Sequence, residues 1–138
     1  MNQSNRDYFD RQVGWVLDHL SRKILRILIE VPLHVEDQPS KRLMEDMGIE
    51  NPEELCGYYS GIPFHEVSVF GATVYHPAGV PYPNSITIFR RGVVAASRDE
   101  QGKVNRSQLR QEIRITILHE LAHLHGMDED EISEMGYG

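Results

Sequence analysis

The chain has 138 residues, enough for one domain with a real core and too few for two of ordinary size. Its 40% hydrophobic and 25% charged residues suit a soluble globular protein, and a net charge of −7 without any Lys/Arg block argues against a nucleic-acid partner. Cys56 is the lone cysteine, which excludes a disulfide framework and a thiolate zinc cage, and no apolar run approaches the length of a membrane span.

The start, Met-Asn-Gln-Ser-Asn-Arg, is polar and lacks the apolar core of a signal peptide, so a cytoplasmic protein is expected. Residues 4–29 carry Phe9, Val13, Val16, Leu17, Leu20, Ile24, Ile27 and Leu28 at spacings of three and four. Asp10, Arg11, Asp18, Arg22 and Lys23 fall mostly off that stripe, which predicts one long amphipathic helix, with Ser4 and Asp7 to cap its start. His19 reads as a surface residue of this helix.

Residues 31–36, Val-Pro-Leu-His-Val-Glu, alternate with a β-branched bias and predict a strand, Pro32 marking an edge position or a strand beginning. Residues 37–40 break it. Residues 41–47 predict a short helix ended by Gly48, and residues 52–55 one further turn. Residues 57–84 mix Gly57, Gly61, Gly71, Gly79 and four prolines with Tyr58, Tyr59, Phe64, Phe70, Tyr75 and Tyr82. Such aromatic content needs burial or a ligand. Residues 67–70 and 72–75 predict two short strands or one strand bulged at Gly71, with His65 and His76 as possible extra ligands.

Residues 85–90, Ser-Ile-Thr-Ile-Phe-Arg, form the clearest strand pattern. Residues 92–102 read as a polar connection with an apolar patch at 93–96. Asn105 then stands as an N-cap with Gln108 in the capping-box place. Leu109, Ile113, Ile117, Leu121 and Leu124 follow as one stripe, and Ile115, Leu118 and Ala122 are apolar on another side, which predicts a central helix.

The end of that helix reads His119-Glu120-Leu121-Ala122-His123, followed by Leu124-His125-Gly126-Met127-Asp128-Glu129, or H-E-x-x-H-x-x-G-x-x-E. Histidines four apart on a helix sit about 40° apart around its axis, which suits two imidazole nitrogens converging on one tetrahedral zinc. Glu120, roughly 100° round from His119, is close enough to reach a water held there. Gly126 can end the helix so that a carboxylate just beyond turns back to the same metal. Asp128 with Glu131 reads as the cap of a last short helix through Met135, which leaves Glu129 as the freer third ligand and Asp130 as a further alternative. His125, roughly 200° round from His123, points away from the metal. The competing account is a solvated His/Glu face on an amphipathic helix.

The sequence resembles the bacterial zincin-like metallopeptidase family over most of its length. The resemblance is carried by Val-Glu-Asp-Gln-Pro at 35–39, Tyr-Tyr-Ser-Gly-Ile-Pro at 58–63, Ser-Ile-Thr-Ile-Phe-Arg at 85–90, and the H-E-x-x-H-x-x-G run leading into Glu-Ile-Ser-Glu-Met-Gly at 131–136. It implies a single α+β zincin-type domain over 1–138, with a long N-terminal helix, a small mixed sheet, a central zinc-binding helix and a short C-terminal helix. It also implies His119 and His123 as zinc ligands and Glu120 as general base. The family pattern usually has Asp at the third-ligand spacing, where this chain has Glu129.

In that account three protein ligands leave a fourth position for water, and Glu120 passes its proton to the leaving amine of a peptide or protein substrate. A non-catalytic peptide-binding or regulatory module and a purely structural zinc are the alternatives. His65 or His76 in the fourth position would favour the structural one, and Glu120 favours catalysis. An extended peptide is expected to add to an exposed edge of the 85–90 strand, with the 58–82 stretch as opposite wall or lid, unless those aromatics simply cover the core.

Overall fold

The computed structural model describes residues 1–61, 84–125 and 130, and here the first apolar stripe is carried by two helices, not one. Helix α1 (Gln3–Asp18) is capped by Asn2, whose side chain accepts the Asn5 N–H at 2.8 Å, in place of the expected Ser4 and Asp7. It stops at His19. Ser21 then opens α2 (Arg22–Glu30) by accepting the Ile24 N–H at 3.3 Å. A serine hydroxyl competes for a backbone N–H and so favours a helix start over a helix interior. The three-and-four spacing runs on across this break, so the apolar pattern does not register it. Phe9, Val13, Val16 and Leu20 are buried, and Ile24, Ile27 and Leu28 pack against them from α2.

Strands β1 (Leu33–Glu36), β2 (Gly57–Ser60) and β3 (Ser85–Phe89) form a mixed sheet in the order β1-β3-β2. β1 runs parallel to β3 with Val35 opposite Ile88, and β2 runs antiparallel to β3 with Tyr59 opposite Ile86. Pro32 precedes the outer strand β1, a position where its missing N–H costs nothing, and its carbonyl accepts the Ile86 N–H at 3.0 Å. The expectation that residues 85–90 offer an exposed edge is corrected here. β3 is the middle strand, its backbone groups are used on both sides, and it has no edge for an added peptide. The start of the aromatic stretch is itself the strand β2.

Between β1 and β2 lie helix α3 (Lys41–Met47) and a 3₁₀ turn at Pro52–Glu54. Ser40 caps α3, and Gly48 ends it at φ 67°, a left-handed conformation that glycine takes without steric cost. The supposed polar connection after β3 begins as helix α4 (Arg90–Ala96). Arg90 ties down its start, donating through two nitrogens to Asp10 and through a third to Asp37. Arg6 of α1 grips the same Asp37 carboxylate at 2.6 Å. Gly92 fits where nothing larger does, because a Cβ there would stand 2.0 Å from the Leu55 carbonyl oxygen.

Helix α5 (Arg106–Leu124) starts as expected at Asn105, which accepts the Gln108 N–H at 2.7 Å. The Gln108 side chain reaches forward to Glu112 instead of back to the cap. Leu109, Ile113, Ile117, Leu121 and Leu124 are at most 3% exposed, and α5 packs against α1, α4, β2 and β3. Burial of about 1.5–3 kcal/mol per large apolar side chain makes this helix the core's main support. The architecture is α+β. No described helix is long and apolar enough to cross a membrane. The strands expected at 67–75, the turn at Gly126 and the last helix through Met135 lie outside the described residues.

Candidate metal centre

The last turns of α5 hold their side chains still because the same turns bury Leu121, Ala122 and Leu124 in the core. On the other face His119 and His123 meet. Their Nε2 atoms are 3.1 Å apart, and the rings stand edge to face with centroids at 4.8 Å. At that separation two neutral rings can share one hydrogen, and two unprotonated nitrogens can share a metal ion. Two imidazole nitrogens on a tetrahedral zinc are separated by about 3.3 Å, so the pair fits zinc closely. Among the described residues no group of three metal-ligating side chains assembles. The sequence's third ligand, Glu129, and its alternative Asp128 lie outside the described residues, as do His65 and His76. Asp130 is exposed.

Glu120 stands beside the histidines, 7% exposed, with Oε1 at 4.0 Å from His119 Nε2. Its position depends on β2. Gly57, the first residue of that strand, lies flat against α5, where a Cβ would meet Thr116 Cγ2 at 2.8 Å and Glu120 Cγ at 3.0 Å. The absence of a side chain is what admits Glu120 between strand and helix. His125 follows as the C-cap of α5, exposed, donating its N–H to the Leu121 carbonyl at 3.0 Å.

β2 also supplies the wall. The Tyr59 ring stacks on His123 with centroids 5.8 Å apart, and Tyr58 stacks on Tyr59 at 6.3 Å. With Met47 and Gly61 they border a cleft of about 470 Å³ that opens onto His119, Glu120 and His123. A second cleft of about 310 Å³ runs along the same face past Cys56, Glu54, Glu112 and Thr116 to His119 and Glu120. Burial pushes the Cys56 thiol up, and the negative charges of Glu112 and Glu120 push it further, so it stays protonated and unreactive at neutral pH.

The sequence-predicted residues His119, Glu120 and His123 are thus brought together. Gly57 was missed as part of the site. Its signal is faint, a single glycine opening a stretch rich in glycine and proline, and its partner Thr116 stands fifty-nine residues away, so nothing local connects them.

A comparison with curated proteins finds no match. The model of the zincin-like metallopeptidase family matches residues 28–138, which takes in every described strand, both Tyr58 and Tyr59, and the whole of α5. A match over that much of the sequence settles the kinship, and the chain belongs to the zincin-like metallopeptidase family.

Proposed function

We propose that the chain is a zinc-dependent peptidase that hydrolyses peptide bonds, with His119, His123 and Glu129 holding the metal and Glu120 as general base. One observation carries this reading. Two histidine nitrogens converge at 3.1 Å with a nearly buried glutamate alongside, at the mouth of a cleft of about 470 Å³. A purely structural site has no use for such a glutamate.

Zinc, when bound, supplies Lewis acidity, lowering the pKa of a water to about 7 and polarising a carbonyl. The chain's own residues do the rest. Glu120 takes a proton at a carboxylate oxygen as the water attacks the peptide carbon, then delivers it to the leaving amine as the C–N bond breaks. The core-anchored turns of α5 hold Glu120 and both histidines in fixed relation, which a proton transfer over hydrogen-bond distance requires. Tyr58, Tyr59 and Met47 give the peptide an apolar wall with little demand for a particular side chain. The substrate is a peptide or protein. A cytoplasmic site of action belongs to the same reading, supported by the lone Cys56, which can form no disulfide within the chain.

The test is Glu120→Gln, which keeps side-chain size and removes basicity. One zinc per chain and an unchanged melting curve are expected, with hydrolysis of a peptide library slowed by about 10²–10⁴-fold. An unchanged cleavage rate removes Glu120 from the mechanism.

A further inference from the structure

At the opposite end of α5 from the histidines, Arg106, Arg110 and Arg114 stand four residues apart on one face and line an open cleft of about 330 Å³, bordered on its other side by Trp15 of α1 and by His19, the residue that caps that helix. The Arg110 guanidinium lies 4.0 Å from the Trp15 ring centroid, and its Nε donates to Gln12 Oε1 at 2.8 Å. At the end of α1 the Trp15 and His19 rings stack at 3.7 Å. Arg106 and Arg114 are exposed. Among the described residues no carboxylate forms an ion pair with any of the three guanidinium groups.

This arrangement costs stability. Like charges four apart on a helix repel, and a cation in the first turn opposes the helix dipole. Arg6 and Arg90, by contrast, share the carboxylates of Asp10 and Asp37, and the net charge of the chain is −7. Three guanidinium groups without a carboxylate partner among the described residues thus border one cleft. A negative group in the cleft would relieve all these repulsions together, and the flat guanidinium fork matches phosphate oxygens two at a time.

We propose that this cleft binds a small phosphate-type anion, either free phosphate or the phosphate group of a small ester. Along α5, Arg110 is about 14 Å from His119 and about 20 Å from His123 at 1.5 Å per residue, so the site is separate from the metal centre. Trp15 is the chain's single tryptophan, so its fluorescence reports on this wall alone.

The full chain is titrated with inorganic phosphate and, separately, with glucose 6-phosphate, at constant ionic strength set with NaCl. Binding is followed by Trp15 fluorescence and by calorimetry. A saturable one-to-one response is expected, weakened about tenfold or more in R106Q/R114Q, whose two sites are exposed and whose fold is checked by circular dichroism. Saturation by both probes assigns free phosphate as sufficient, and saturation by the ester alone assigns the ester. The proposal is overturned by no saturation with either probe, by an equal response to NaCl, or by equal affinity in R106Q/R114Q. Tighter binding of a glutamate-rich peptide than of either probe also overturns it, by assigning the surface to an acidic protein.

Discussion

Gly57 lies against Glu120 so closely that a Cβ on the glycine would stand 3.0 Å from the glutamate's Cγ. The same methyl would meet Thr116 Cγ2 at 2.8 Å, so both α5 side chains must give way at once. Gly57→Ala is expected to destabilise the fold by about 1–3 kcal/mol and to slow peptide hydrolysis more than it weakens zinc binding, because it displaces Glu120 and leaves the histidines in place. Thermal melting, zinc titration and cleavage rate measured together check this. Unchanged cleavage in the variant would show that the strand does not set the position of Glu120.

Gly92→Ala is expected to be the more damaging of the two glycine substitutions. Its Cβ would stand 2.0 Å from the Leu55 carbonyl oxygen, which is backbone and cannot rotate aside. A loss of about 3 kcal/mol or more is expected, read as a fall in the urea midpoint, with no change in the metal stoichiometry of the folded fraction.

Asp37 contributes stability that depends on acid. Hydrogen bonds from Arg6 first, and from Arg90 after it, hold its carboxyl below the usual carboxylate range. A carboxyl whose folded value is depressed contributes fully above its unfolded value, at about pH 4, and loses that contribution as pH falls through the folded value. Asp37→Asn should therefore cost about 1–2 kcal/mol at neutral pH, an amount tempered by partial solvent exposure. Melting curves taken from pH 7 downward should show wild type and variant converging below about pH 4.

The third metal ligand is open to a direct measurement. Zinc content of single alanine variants at Asp128, Glu129 and Asp130 is expected to fall only for Glu129→Ala. Full zinc in Glu129→Ala, with loss in either neighbour, reassigns the ligand.

The sequence carried its most local information best. The His119–His123 spacing, the Asn105 cap and the apolar stripe of α5 are all set within a turn or two of helix, so they read directly. The break at Ser21 is hidden because the stripe continues across it. β2 is four residues long and opens on glycine, too short for alternation to show. α4 opens on Arg90-Arg91-Gly92 with no side-chain cap, so it resembles a connection. Whether the 85–90 strand is central or at an edge depends on pairing with β1 and β2, about fifty and thirty residues away, and no local pattern encodes that. The blocks at 35–39 and 85–90 do prove to belong together. They are neighbouring parallel strands whose ends are joined by the Asp37–Arg90 ion pair at 2.9 Å.

The packing of α1 on α5 bears on where this family's unit begins. The family match opens at residue 28, inside α2, yet Phe9, Val13 and Val16 upstream of it are each at most 6% exposed within the common core. Arg6 likewise reaches across to Asp37 inside the matched stretch. A boundary drawn from sequence similarity therefore cuts through a helix and through the hydrophobic interior. The stretch of chain that shares this core is longer than the stretch the family match covers, and here the extra length is the slab that keeps water off the back of the histidine helix.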